Sequence, residues 1–248
     1  MSSTSETGHA KNVSNMSVLI ASCVANTDRY KPSNKNLVLE ALNALYTKTD
    51  QAVTAVNTMA PANTKAIAAR KIVFKPLSKL VTRLYNAAVS SGASKEVVAS
   101  IATIKRLIQG TRATPKLSDE KKAALKAAGK EKKESSSSQV SFDQRINNMD
   151  KLIKLLAALP EYTPNEVDLQ ITSLQALLAT LQKTNKDVVD TDNLLYKART
   201  TRDQLMNAEK TGLIDICLDT KAYIKSVDSS DGRWFKQISG LKFVRPKN

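Results

Sequence analysis

One histidine, two cysteines, seven glycines, seven prolines and only 4% aromatic residues among 248 positions exclude much of what a chain of this length can do. His9 alone rules out a multi-histidine metal site, and its place in a polar N-terminal stretch argues against a histidine-dependent nucleophilic triad. Cys23 and Cys217 lie in separate apolar runs and belong to no paired metal-ligand motif. They read as buried free thiols, which implies a reducing compartment and hence the cytoplasm. No apolar run is long enough to span a bilayer, so no membrane partner is expected. Ile20-Ala21-Ser22-Cys23 resembles a lipoprotein cleavage box, but only Val18 to Ala21 precede the cysteine as an apolar stretch and no basic segment stands before it. P-loop, dinucleotide-binding and EF-hand spacings are also missing. No catalytic residue, metal ligand or cofactor site is assigned, and enzymatic activity is not expected.

Few glycines and prolines, with Ala, Leu, Lys and Thr abundant, favour helices over strands and tight turns. Within that helical composition one pattern occurs twice. Tyr30-Lys31-Pro32-Ser33-Asn34 returns as Tyr162-Thr163-Pro164-Asn165-Glu166, and Leu37, Leu39, Leu42 and Leu45 line up with Leu169, Ile171, Leu174 and Leu177. Each copy ends in a related tag, Ile108-Gln109-Gly110 and Ile238-Ser239-Gly240. A unit of this length indicates a duplicated domain rather than a solenoid of short repeats.

The expected fold is all-α, a tandem duplication of an approximately four-helix antiparallel bundle, because short connections make neighbouring helices antiparallel and pooled apolar stripes make one core. Residues 1–13 are expected as a flexible arm, 14–112 as the first bundle, 113–140 as a basic, Ser-rich linker and 141–248 as the second bundle. In the first copy a helix is expected over about Ser14 to Ala25, and another from Pro32 towards Thr58. Pro61 is expected to close that second helix. A third, from about Asn63 to Val89, should kink at Pro76, with Gly212 marking the same bend in the second copy. Ser94 should open a fourth helix ending at Gly110. The linker has room for a short helix over Ser118 to Leu125. The second copy begins near Phe142, and Asn165 to Val227 reads either as two helices with a turn near Asn185 to Asp192 or as one continuous helix. Asp187, Asp190 and Asp192 at that turn read as capping residues. The end, Trp234 to Val244, reads either as an irregular tail or as a short strand.

The net charge of +15 is uneven: residues 1–112 carry +10, 113–138 carry +3 and 139–248 carry +2. Lys71, Lys75, Lys79 and Arg83 recur every fourth residue, which places them on one helix face opposite Ile72, Leu77, Leu80, Val81 and Leu84. With a four-residue insertion, Lys79 and Arg83 align with Asp215 and Asp219. A face basic in one copy and acidic in the other allows self-assembly into a homo-oligomer or filament. Nucleic acid is the alternative partner, with Lys105, Arg106, Arg112, Lys116, Lys121 and Lys122 as candidate phosphate contacts. Scarce aromatics, not interleaved with the basic clusters, make sequence-tolerant rather than stacking-based binding the form this would take.

Ser17-Val18-Leu19-Ile20-Ala21-Ser22-Cys23, Pro76-Leu77-Ser78-Lys79-Leu80-Val81-Thr82-Arg83 and Ser239-Gly240-Leu241-Lys242-Phe243 resemble blocks of an uncharacterised family of hypothetical Bacteroidota proteins. The resemblance covers nearly the whole chain from Ser17 onward. It implies a bacterial source and supplies no activity, cofactor or site residue. The sequence therefore leads to a non-enzymatic helical scaffold or interaction protein, with nucleic-acid binding as the alternative function.

Overall fold

The computed structural model describes residues 8–111, 127 and 140–245, and among them the chain is all-helical with no strand. Helix α1 (His9–Val24) is followed by a 3-10 turn, Lys35–Leu37, and by the 36-residue helix α2 (Leu39–Phe74). Helices α3 (Leu77–Ser90) and α4 (Lys95–Gln109) complete this part. The order then repeats: α5 (Phe142–Ala157), a 3-10 turn at Val167–Leu169, and the 37-residue helix α6 (Ile171–Asn207). Helices α7 (Leu213–Asp228) and α8 (Arg233–Ser239) precede an extended tail, residues 241–245. No helix among the described residues is long and apolar enough to cross a membrane.

The local chemistry explains these boundaries. α1 buries Met16, Leu19, Ile20 and Cys23, and α5 buries Met149, Leu152, Ile153 and Leu156, each set at the three- and four-residue spacing of one helix face. Ser94 and Ser141 cap α4 and α5 by accepting from the amides of Val97 and Gln144. Gly110 ends α4 at φ 70°, where a Cβ would come within 2.3 Å of Val140 Cγ1. The Tyr-x-Pro entries are built alike. Tyr30 Oη donates to the Leu37 carbonyl at 2.5 Å and Tyr162 Oη to the Leu169 carbonyl at 3.0 Å, so a buried phenol closes each seven-residue loop.

The chain forms two compact units, and they are not the two sequence copies. Unit 1 comprises residues 1–64 and 190–248, and unit 2 comprises residues 65–189. The division expected at 14–112 and 141–248 is replaced by one in which each unit takes its opening elements from one copy and its closing elements from the other. Both long helices run from one unit into the other, because neither Pro61 nor Asn185 to Asp192 interrupts them. In unit 1, α1 packs on α7 and α8, and its core joins Met16, Leu19, Cys23, Leu37 and Leu42 to Met206, Leu213, Cys217 and Ile238. In unit 2, α4 packs on α3 and α5, and Phe74, Val81, Leu84 and Ile108 join Met149, Leu152, Leu169 and Leu174.

Several sequence expectations change. Residues 9–13 are not part of an arm: they form the first turns of α1, with Asn12 and Val13 buried. Pro61 lies inside α2 at an exposed position, where water can satisfy the Asn57 carbonyl that proline leaves without its i+4 donor. At Pro76 and Gly212 the chain ends one helix and begins another, where a kink was expected; both residues sit at the N-terminal boundary of a helix whose first leucine is buried. Asn165 to Val227 contains two helices, with the turn at residues 208–212. The tail is extended without being a strand, because its partners are side chains. Asn12 both donates to the Val244 carbonyl and accepts from the Val244 amide, Asn15 donates to the Lys242 carbonyl, and Phe243 is buried between them in sequence. The segment 113–139, including Ser118 to Leu125, lies outside the described residues apart from Ala127.

Candidate binding groove

The lysine row keeps three of its four members available. Lys71 in the last turn of α2, Lys75 in the turn between α2 and α3, and Lys79 on α3 are exposed. Arg83, one turn beyond Lys79, pairs instead with Asp168 of the same unit through both guanidinium Nη atoms. That contact holds the Asp168 carboxyl below its ordinary pKa. On the acidic side, Asp215 accepts from Arg245 Nη2 at 2.9 Å and from the Lys210 amide at 3.0 Å, while Asp219 is exposed. Lys105 lies over the Tyr85 ring at 4.2 Å, and Arg106 donates to Thr103 Oγ1 within α4. Arg112, Lys116, Lys121 and Lys122 lie outside the described residues. The structure therefore leaves Lys71, Lys75 and Lys79 exposed in unit 2 and engages Arg83 and Asp215 in internal pairs.

A second feature lies where no site residue was expected. In unit 1 an open groove of about 590 Å³ is lined by His9, Ala10, Lys11 and Ser14 of α1, Val53, Val56 and Asn57 of α2, and Arg202 of α6. Its polar end is a three-membered cluster: Arg202 Nη2 and Nε lie 2.7 and 2.8 Å from Asp203 Oδ1, and His9 Nε2 lies 3.2 Å from the same oxygen. Partial burial and the Arg202 charge lower the His9 pKa, and Asp203 opposes them. Val53 and Val56 supply the apolar wall.

Unit 2 carries the same position with a different lining, beside an open cavity of about 350 Å³ bordered by Asp143, Asn147 and Asn185. Residues of α1 and α5 correspond at a spacing of 133, as Met16 does to Met149, and those of the long helices at 132, as Leu42 does to Leu174. By that register Arg70 answers to Arg202, Asn185 to Val53, Asp143 to Ala10 and Phe142 to His9. Arg70 Nη1 donates to Asn185 Oδ1 at 2.9 Å, Asn185 Nδ2 donates to Asp143 Oδ1 at 2.7 Å, and the Arg70 guanidinium lies 3.9 Å from the Phe142 ring centroid. Asn185 and Asp143 stand in unit 2 where Val53 and Ala10 stand in unit 1, and Phe142 stands where unit 1 has His9. The signal is legible only in a comparison of the copies at register, because His9 lies in a polar N-terminal stretch and Arg202 stands in no motif.

Among the described residues no group of three or more His, Cys, Asp or Glu is arranged to hold a metal ion. No family model, curated protein or solved structure matches the chain.

Proposed function

We propose that the chain is a non-enzymatic helical interaction protein, an internal duplication whose copies have exchanged halves, and that the row Lys71, Lys75 and Lys79 is its contact face for a polyanion, in the first instance nucleic acid bound without sequence selection. One observation carries this reading: the three lysines stand exposed at four-residue intervals across the junction of α2 and α3, while the neighbouring arginine of the same row is paired internally. Like charges this close along the chain repel one another, a cost that a polyanion lowers. Charge distribution supports it, since residues 65–189 hold 22 Lys and Arg against 11 Asp and Glu, and the rest of the chain 16 against 12. Two buried thiols fit a cytoplasmic setting.

Self-assembly through complementary faces has less support, because Asp215 is engaged by Arg245 and Arg83 by Asp168, which leaves Asp219 to face three lysines. The two readings separate in one experiment. A fluorescent 20-base-pair duplex is titrated with the whole protein and with K71E/K75E/K79E across a salt series. The expected result is affinity lost by at least tenfold and a log-log salt slope smaller by about 2.7, at roughly 0.9 for each phosphate no longer neutralised. Unchanged affinity and slope in the variant overturn the reading, and nuclease-resistant oligomers that the variant disperses put self-assembly in its place.

A further inference from the structure

We infer that each copy presents a charge-coded surface that accepts the other copy and rejects its own kind, with Arg29 and Arg83 of the first copy and Asp168 and Asp228 of the second selecting the partner. The inference stands apart from the lysine-row reading and uses none of its three lysines.

Two arginine–aspartate pairs join one copy to the other. In unit 1 Arg29 Nη2 donates to Asp228 Oδ1 at 2.5 Å, and in unit 2 Arg83 donates to both carboxylate oxygens of Asp168. In each the arginine belongs to the first copy and the aspartate to the second. Because the copies are related, the competing arrangement can be read from the sequence: a unit built from two first copies or two second copies, as when two chains pair like with like. The entry loops correspond at a spacing of 132, as Tyr30 does to Tyr162. Helices α3 and α7 correspond at 136, where buried Leu77, Val81, Leu84 and Ala88 answer to buried Leu213, Cys217, Thr220 and Ile224. By that register Glu161 stands where the first copy has Arg29, Asp219 where it has Arg83, and Asn36 where the second copy has Asp168.

Pairing of two second copies would set Glu161 against Asp228 and Asp219 against Asp168, turning both attractions into repulsions. The Asp228 side chain is only 8% exposed, so the first of these is poorly screened. Pairing of two first copies would set Arg83 against Asn36, and Arg29 against the end of α3, where residues 89–93 carry no charge. A buried hydrogen bond applies the same rule without charge. Trp234 Nε1 donates to Ser22 Oγ at 2.9 Å, and both residues are buried. Their counterparts in unit 2 are Ile104 and Leu155, which pack in its apolar core. Like pairing would therefore set Trp234 against Leu155 or Ser22 against Ile104, leaving a buried polar group unmet. Exposed ion pairs add little to stability. Their value here is discrimination, since specificity is a difference between partners to which repulsion in the wrong one contributes fully.

The test exchanges the code between the copies in the whole protein. R29E/R83D/E161R/D219R gives each position the residue of its counterpart and leaves composition and net charge unchanged. Unlike pairing then sets Glu against Asp228 and Asp against Asp168, while pairing of two second copies gains an arginine opposite each aspartate. Wild type, this variant and R29A/R83A are refolded from urea at equal concentration and their masses are measured by sedimentation. The proportion of species with twice the wild-type mass should rise at least about tenfold in the exchange variant and stay at the wild-type level in R29A/R83A, which loses the attractions without favouring like pairing. A wild-type mass in the exchange variant overturns the inference, and so does an equal rise in R29A/R83A, which would make the pairs merely structural. If the exchange variant does not fold, about 0.5 M NaCl decides: recovery of a helical species of wild-type mass shows that the barrier is charge, and continued failure overturns the inference. K71E/K75E/K79E should keep the wild-type mass, so failure of the lysine-row reading and failure of this one cannot be confused.

Discussion

At the residue scale the scarce side chains are used for structure. Cys23 and Cys217 are wholly buried in the unit 1 core, and burial pushes the Cys23 thiol up to about 12 and the Cys217 thiol higher still. Nucleophilic thiolate is therefore nearly absent at pH 8. Neither thiol should react with a disulfide reagent such as DTNB at pH 8 in the native protein, and both should react in denaturant; rapid native reaction of either would contradict the burial. The same shift sets a pH dependence. Unfolded thiols ionise near their ordinary value of 9.0, whereas folded Cys23 keeps its proton until about 12. Between those values the folded state holds more protons, so stability declines as pH rises through that window and is fully present below it. Urea denaturation from pH 8 to 11 should show this decline, reduced in C23A/C217A. Tyr30 and Tyr162 act in the same direction, since burial raises both phenols and each donates its proton to a backbone carbonyl.

At the scale of elements, what was legible in the sequence was whatever depended on neighbours a few residues away. The Ser94 cap, the Gly110 terminator, the start at Phe142 and the apolar ladders from Leu37 and Leu169 are all local, and each lies where periodicity and capping chemistry put it. Pro61 does not close α2, because an exposed proline costs a helix one hydrogen bond and a local distortion, which the packing along the remaining turns can offset. Pro61→Ala restores a donor to the Asn57 carbonyl, and the expected gain is about 1–3 kcal/mol in chemical denaturation. Gly212 behaves oppositely. Buried in the turn before α7, it has no room for a Cβ, which would lie 2.6 Å from the Ala208 nitrogen and 2.7 Å from its carbonyl oxygen. Gly212→Ala should therefore cost about 1–3 kcal/mol, and a neutral outcome would mean that the turn is looser than its backbone contacts indicate. The groove was hidden for a related reason. Its residues come from α1, α2 and α6, and no local window contains His9, Val53 and Arg202 together.

At the scale of the whole molecule, chain order and spatial order part company. Local periodicity says which faces are apolar and nothing about which copy covers them, so the sequence was equally compatible with two self-contained bundles and with two mixed ones. Burial decides between them: Leu37 and Leu42 share a core with Met206 and Leu213, and Leu169 and Leu174 share one with Phe74 and Leu77. The consequence can be tested by cutting the chain between the copies. Self-contained bundles would make fragments 1–112 and 140–248 fold separately, each with its own cooperative transition. Mixed units deprive each fragment of half of every core, and the apolar faces so exposed remove the main driving force for folding. Each fragment alone should lack a sharp monomeric thermal transition and dispersed amide resonances. An equimolar mixture should regain both with a one-to-one stoichiometry, because the two fragments keep α1 to α4 and α5 to α8 whole. Mixing should also restore burial of Cys23 against elements of the second fragment, so DTNB reactivity of that thiol, high in fragment 1–112, should fall as 140–248 is added. Independent folding of either fragment as a monomer would return the molecule to two tandem bundles and remove the basis for pairing Arg202 with Val53 and Ala10.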